Sequence, residues 1–238
     1  MLTTDVTYRD QAVNLRGFLA YEERAPGRRP GVLVIHEGLG LNEHATQRAR
    51  RLAGLGYVAL AADMFGDRRQ ARDLQEAREL MGELRDDPAK LRARARAALA
   101  TLATLRQVDA ERLAAVGFCF GGSAALELAR DGAALRAVVS FHGVLTTKPP
   151  ATPGQVRPSI LVCTGADDPL APSEQVIAFQ QEMRAAKVED WQVISYGNTR
   201  HGFTNPAANG SILPAAYYHA RSDRRAWSAM QLFLAEVV

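Results

Sequence analysis

Short apolar runs of strand length alternate along the chain with longer segments whose apolar residues recur at helical spacing. The strand-like runs are 31–35, 57–61, 113–116, 135–140, 160–163 and 191–194. Helical spacing occupies the segments 43–54, 73–84, 89–106, 121–131, 173–187 and 215–236. Strands joined by crossover helices run parallel. The pattern therefore predicts an α/β fold with a mostly parallel central sheet and helices on both faces.

The two ends of this alternation define the expected domain. Segment 13–21 predicts a strand that forms an antiparallel edge hairpin with residues 6–8. The chain has 238 residues, of which 47% are apolar, and it carries no internal repeat, so we expect a single domain over residues 1–238. The proline-rich stretch 146–158 predicts a loop at the carboxyl edge of the sheet and not a domain linker.

Charge and composition exclude several classes of protein. Lysine and arginine number 29 against 26 acidic residues, and the arginines are spread along the chain, so we expect no nucleic-acid partner. The densest basic stretch, 90–96, predicts a solvated helix face. No apolar segment approaches the ~20 residues that span a bilayer, and the N-terminus lacks a signal-peptide core, so we expect a soluble, cytoplasmic protein without a membrane partner. Two cysteines give no disulfide framework.

Glycines frame a cysteine between a predicted strand and a predicted helix, in the stretch 117–122. A sharp strand-to-helix turn strains the residue at its tip and leaves no room for side chains beside it. Gly117 and Gly121 meet that need, and the turn would expose Cys119 above the sheet. The same elbow presents a serine in GxSxG hydrolases, so the sequence predicts a thiol nucleophile.

Chemistry-bearing residues follow the other predicted strands at the carboxyl edge, where open α/β sheets place their sites. Glu37 follows the first core strand, Asp167 and Asp168 follow 160–163, and His201 follows 191–194. Nucleophile, acid and histidine occur in the chain order of the α/β-hydrolase fold. The residue types alone leave open whether Asp167 or Asp168 is the acid, since either could instead stabilise a turn before proline.

Other candidate sites are weaker. Cys163 lies within a strand without a glycine frame, which favours a packed thiol. His36 and Glu37 do not form an HExxH zinc motif, because Gly40 stands where the second histidine would fall, so we expect no metal. The stretch 38–40 lacks the remaining residues of a phosphate-binding loop. Burial of the Glu37 carboxylate requires either a backbone donor or a role in the site.

The sequence resembles the dienelactone hydrolase family, the carboxymethylenebutenolidase branch of the α/β-hydrolases, nearly from end to end. The matching stretches are HEGLGLN at 36–42, GYVALAAD at 56–63 with Phe65-Gly66, GFCFGG at 117–122, GADD at 165–168, HGFTNP at 201–206 and the last helix at 218–230. The resemblance implies that Cys119 is the nucleophile, His201 the base and Asp168 the orienting acid. It implies no cofactor.

The resemblance also assigns roles to three neighbours of the elbow. In such enzymes the glutamate at the position of Glu37 is a catalytic residue that contacts the thiol in the resting state, and substrate binding shifts it so that the thiol is deprotonated. A nearby carboxylate opposes ionisation of a thiol, so this contact would keep the cysteine unreactive in the free enzyme. The backbone N–H groups of Gly38 and Phe120 would form the oxyanion hole.

One position departs from the family pattern. Members that act on dienelactone carry an arginine four residues after the histidine, and this chain has Asn205 there. A neutral amide cannot grip a carboxylate as a guanidinium does, so dienelactone itself is not the expected substrate. Arg68, Arg69 and Arg200 are candidate replacements that the sequence does not place over the pocket.

The resulting hypothesis is a hydrolase of small esters or lactones that works through a thioester acyl-enzyme. The expected partner is a small-molecule substrate, and the protein is expected to be a monomer or a small homo-oligomer. Segments 64–72 and 144–157 are expected to form the pocket walls. Two alternatives remain: a non-hydrolytic thiol-based redox-sensing or ligand-binding protein on the same fold, and an acyltransferase.

Overall fold

The computed structural model describes all 238 residues, in which eight strands form one sheet and six helices pack against it. The strands are β1 (Leu2–Asp10), β2 (Val13–Tyr21), β3 (Arg29–Ile35), β4 (Val58–Ala62), β5 (Val108–Phe118), β6 (Ala137–Phe141), β7 (Ser159–Gly165) and β8 (Trp191–Tyr196). The helices are α1 (Glu43–Ala53), α2 (Leu74–Arg85), α3 (Pro88–Thr104), α4 (Phe120–Arg130), α5 (Ser173–Ala185) and α6 (Ala220–Val237).

The sheet has the strand order β1-β2-β4-β3-β5-β6-β7-β8. Strands β3 to β8 run parallel, and β1 and β2 form an antiparallel hairpin at one edge. Both the predicted parallel sheet and the predicted hairpin are confirmed. All the carboxyl ends of the parallel strands meet at one edge, where the elbow lies.

Two hydrophobic cores lie on opposite faces of the sheet. Strand β3 shows the division, because Leu33 and Ile35 belong to the core under α2, α3, α4 and α5, whereas Val32 and Val34 belong to the core under α1 and α6. Side chains alternate between faces along a strand, so a strand buried on both faces is apolar throughout. The predicted helices on both faces are confirmed.

Two expectations about helices are wrong. Helix α6 begins at Ala220 and not at residue 215, because the His219 side chain accepts the N–H of Ser222 and caps the helix there. The basic face of α3 is not wholly solvated. Arg94 is buried, with a 2.7 Å ion pair to Asp10, since α3 packs this side against the β1–β2 hairpin.

A buried carboxylate folds the chain back after β4. Asp63 Oδ1 accepts the N–H groups of Phe65 and Gly66, and Asp63 Oδ2 accepts those of Arg16 and Arg68 at 3.0 and 2.7 Å. These bonds tie residues 64–68 to strand β2.

No helix of the protein is both long enough and apolar enough to cross a membrane.

Candidate active site

The elbow between β5 and α4 holds Cys119 in a strained conformation, with φ of 53° and ψ of −116°. A Cβ at Gly117 would collide with the backbone of Gly121, and a Cβ at Gly121 would collide with the Ile35 carbonyl of β3. Both glycines are therefore required for the sharp turn, for the reason that the sequence suggested. Non-glycine residues at positive φ cost on the order of 1–3 kcal/mol and persist only where the surroundings enforce them.

Cys119, His201 and Asp168 form one hydrogen-bonded chain. His201 Nε2 lies 3.0 Å from Cys119 Sγ, and His201 Nδ1 lies 2.8 Å from Asp168 Oδ2. Asp168 and His201 are buried at 2% and 1% exposure. Asp167 is exposed, so the structure brings Asp168 and not its neighbour to the histidine.

Opposing effects act on the His201 imidazole. Burial disfavours its charged form, but the electrostatic and hydrogen-bond interactions of the ring with Cys119 and Asp168 outweigh burial and raise the pKa of His201 to about 10. The surroundings of His201 therefore favour its protonated form next to Cys119 Sγ.

Glu37 lies next to the site but its hydrogen bonds do not reach the thiol. Its Oε2 accepts from Asn205 Nδ2 at 2.6 Å and lies 3.3 Å from His44 Nδ1. Burial alone would raise the pKa of Glu37, but His44, His142 and the Asn205 hydrogen bond outweigh it and lower the pKa to about 2. The structure therefore shows the carboxylate turned to His44 and Asn205, unlike the resting contact with the thiol that the resemblance implies.

The sequence reasoning missed His142, which follows β6 at the same edge of the sheet. His142 Nδ1 accepts the Cys119 N–H at 3.1 Å, and His142 Nε2 lies 2.8 Å from Thr204 Oγ1. Burial and the neighbouring His201 hold the pKa of His142 well below its usual value, which fits a neutral ring that accepts at Nδ1. The position after an apolar run was the signal that could have identified it.

The Cys119 N–H is also bonded to the Phe141 carbonyl at 2.9 Å, so it is already satisfied inside the protein. Phe120 is the first residue of α4, and first-turn N–H groups of a helix have no partner within the helix. Gly38 lines the pocket, where Met81 Sδ would lie 2.8 Å from a Cβ at this position. Gly38 follows β3 and Phe120 follows Cys119 at the start of α4, so both residues lie at the carboxyl edge of the sheet.

A cavity of about 270 Å³ opens over Cys119 and His201. Its walls come from α2 and from segment 205–216, together with the turn after β3. The expected walls, 64–72 and 144–157, contribute no lining residue, which corrects that prediction. Asp63 ties the first segment to β2, and contacts such as Ala151 N–H to Glu182 hold the second against α5.

No lysine or arginine lines this cavity. Arg68 pairs with Asp5, Arg69 donates to the Phe65 carbonyl, and Arg200 stacks on Tyr217. None of the three replaces the arginine that the family pattern has at position 205. The lining instead contains two carboxylate side chains, Glu37 and Glu43, and two histidines, His44 and His201.

The remaining candidates are internally satisfied. His36 is fully buried, with Nδ1 2.6 Å from the Glu37 carbonyl and Nε2 accepting the Met64 N–H. Cys163 is buried beside Tyr196, and burial raises the pKa of its thiol to about 12. No group of three or more histidine, cysteine, aspartate or glutamate side chains is arranged to hold a metal ion.

Comparison with known proteins identifies the family. The profile of the dienelactone hydrolase family matches residues 15–238. A protein of Synechocystis sp. named "Putative carboxymethylenebutenolidase" is 30% identical, with coverage of 99% of this chain and 97% of its own. The solved structure named m3DLH is 47% identical with a TM-score of 0.95, and covers 99% of this chain and 98% of its own.

A second solved structure, described as a dienelactone hydrolase-like promiscuous phosphotriesterase P91 from metagenomic libraries, is 44% identical with a TM-score of 0.93. It covers 99% of this chain and 98% of its own. The fold agrees with both solved structures over nearly the whole chain. The protein belongs to the dienelactone hydrolase family of α/β-hydrolases, and it is a hydrolase of lactone or ester substrates.

Proposed function

We propose that this protein hydrolyses small, uncharged esters or lactones through a thioester formed on Cys119. The observation that carries the proposal is the continuous chain from Cys119 Sγ through His201 to Asp168, with contacts of 3.0 and 2.8 Å at the floor of the cavity. A nucleophile, a base and a residue that orients the base are the parts that covalent acyl transfer needs.

In the acylation step, Cys119 Sγ attacks the ester carbonyl carbon and its proton resides on His201. The carbonyl oxygen becomes an oxyanion that the N–H groups of Gly38 and Phe120 stabilise; one such donor typically contributes about 3 kcal/mol in the transition state. The bond from carbon to the leaving oxygen then breaks, and His201 gives its proton to the departing alcohol. For a lactone, the alcohol stays attached to the acyl group.

Deacylation reverses these roles with water. His201 takes a proton from a water molecule as the water attacks the thioester carbon, and the C–S bond breaks to release the acid. Asp168 holds His201 with its Nδ1 hydrogen directed away from the thiol, so that Nε2 faces the reacting atoms in both steps.

The charge of the cavity selects the substrate class. Glu37 and Glu43 line it without a compensating lysine or arginine. A substrate carboxylate would meet like charge there, whereas a neutral acyl group would pack on Leu74, Ala77 and Met81. The absence of a lysine or arginine also favours one second candidate, a neutral phosphotriester, the class that the 44% identical relative is described as hydrolysing.

The test is turnover of a matched panel by wild type, Cys119→Ala and His201→Ala. The panel contains an aryl acetate, neutral lactones, an unsaturated lactone with its carboxylate either free or methylated, and a neutral aryl phosphotriester. We expect both variants to lose at least about 10³-fold in kcat/KM. We also expect kcat/KM for the methylated lactone to exceed that for the lactone with a free carboxylate by at least about tenfold.

Cys163→Ala is the control, since that thiol is packed in β7 and should leave turnover within about twofold. Undiminished turnover by Cys119→Ala would reject the proposed nucleophile. Hydrolysis of the phosphotriester that is lost in the same variant would support the second candidate. Ester formation with an added alcohol in place of hydrolysis would identify an acyltransferase, and thiol oxidation without turnover of any member would favour a redox sensor.

A further inference from the structure

A buried chain of polar side chains leads from the pocket wall through α1 to α6. His44 Nδ1 lies 3.3 Å from Glu37 Oε2, and Arg48 Nε donates to His44 Nε2 over 3.2 Å. Arg48 is held in turn by Asp223 Oδ1 at 2.9 Å and by the Thr204 carbonyl. His44 and Arg48 lie one helical turn apart, so a single face of α1 carries both.

The donor in this chain fixes the histidine tautomer. A guanidinium donates and cannot accept, so the Arg48 bond leaves His44 Nε2 as the acceptor and places the ring hydrogen on Nδ1. His44 therefore donates to Glu37. The aromatic rings of Phe118 and Trp227 cover the guanidinium, with centroids 5.5 and 5.2 Å from its carbon. This packing limits the movement of Arg48 and, through its hydrogen bond, of His44.

We propose that His44, oriented by Arg48, is a positioning residue that holds the Glu37 carboxylate away from Cys119. Asn205 donates to the same carboxylate oxygen from the histidine-bearing segment, so two donors fix it. The restraint is needed because the charged and titratable groups around Cys119 are few: His201 after β8, His142 after β6 and Glu37 after β3. A carboxylate placed on Sγ would oppose ionisation of the Cys119 thiol beside His201.

The inference rests on the proposed role of Cys119, but its readout does not require turnover. The experiment measures the rate of Cys119 alkylation by iodoacetamide against pH in the full-length protein, with Cys163→Ala as the common background. His44→Leu removes the donor at similar volume, and His44→Gln keeps an N–H that can donate to Glu37. Asn205→Ala removes the second donor outside α1, and melting temperatures confirm folding of each variant.

We expect His44→Leu to be alkylated about tenfold more slowly at pH 7, with its half-maximal rate at higher pH. Asn205→Ala should change the rate in the same direction, and His44→Gln should restore most of it. Combined with Glu37→Gln, His44→Leu should match Glu37→Gln alone within about twofold.

Two results would overturn the proposal. One is a wild-type alkylation rate in both His44→Leu and Asn205→Ala. The other is an equal loss for His44→Leu with and without Glu37→Gln, because a purely structural effect of His44 does not depend on the carboxylate. Alkylation proceeds in an enzyme that hydrolyses no ester, so failure of the hydrolase proposal would be recognised separately.

Discussion

Asp167 and Asp168 are adjacent in the sequence, but only Asp168 is hydrogen-bonded to His201. Asp168 is buried with Oδ2 at 2.8 Å from Nδ1, while Asp167 is exposed. Residue type and local sequence do not distinguish them. The direction of each side chain does, and it is set where β7 ends and the chain turns, with Asp168 Oδ1 also accepting the Leu170 N–H.

Asp168→Asn is expected to lower kcat/KM about 10³- to 10⁴-fold, because an amide N–H facing Nδ1 favours the wrong histidine tautomer. Steady-state kinetics on a neutral aryl ester would measure the loss. Asp167→Asn is the matched control and should stay within about twofold of wild type. Similar losses in both variants would contradict the assignment.

At the scale of elements, the turn after β4 shows how one side chain directs a whole segment. Asp63 accepts four backbone N–H groups from two parts of the chain. This explains why residues 64–68 fold onto β2 and leave the pocket wall to other segments. The sequence shows only an aspartate after an apolar strand. One of the four N–H donors that bind its carboxylate belongs to Arg16, which is far away along the chain.

Asp63→Asn should destabilise the protein by about 2–4 kcal/mol, because an amide group would face N–H donors and leave them unsatisfied. Urea unfolding would give the change in the free energy of unfolding. Asp67→Asn, an exposed aspartate in the same turn, is the control and should change it by less than about 0.5 kcal/mol. Equal effects would show that the buried hydrogen bonds are not the cause.

At the scale of the whole molecule, periodicity and the carboxyl-edge rule account for what could be predicted. The parallel sheet, its edge hairpin and the elbow follow from local patterns. The carboxyl-edge rule brought Cys119, His201 and the pair Asp167 and Asp168 to one edge, and the family resemblance selected Asp168 from the pair. The partners of Glu37 were not predictable, because His44 is on α1 and Asn205 follows β8, and only the folded sheet brings them together. The prediction of the pocket walls was wrong for the same reason, because only the folded structure shows which segments surround the site.

Glu37 links the site to overall stability. Its pKa of about 2 in the folded protein lies below the usual 4.5, so its contribution is complete above pH 4.5 and is lost as pH falls through 2. The loss is up to about 3 kcal/mol. Glu37→Gln should therefore show a shallower fall in the free energy of unfolding between pH 4.5 and 2. Urea titrations of both proteins would measure the two slopes, which should coincide between pH 6 and 7; parallel curves throughout would contradict the prediction.

The segment that walls the cavity begins and ends next to His201. The Asn205 N–H donates to the Gly202 carbonyl, and the Tyr217 N–H donates to the His201 carbonyl, both at 2.9 Å. Residues 206–216 thus form a loop closed at its base by the backbone around the histidine. Insertions or deletions at its tip can alter which molecules enter while the reacting atoms keep their places. This loop can consequently set the substrate range of the enzyme independently of its reaction chemistry.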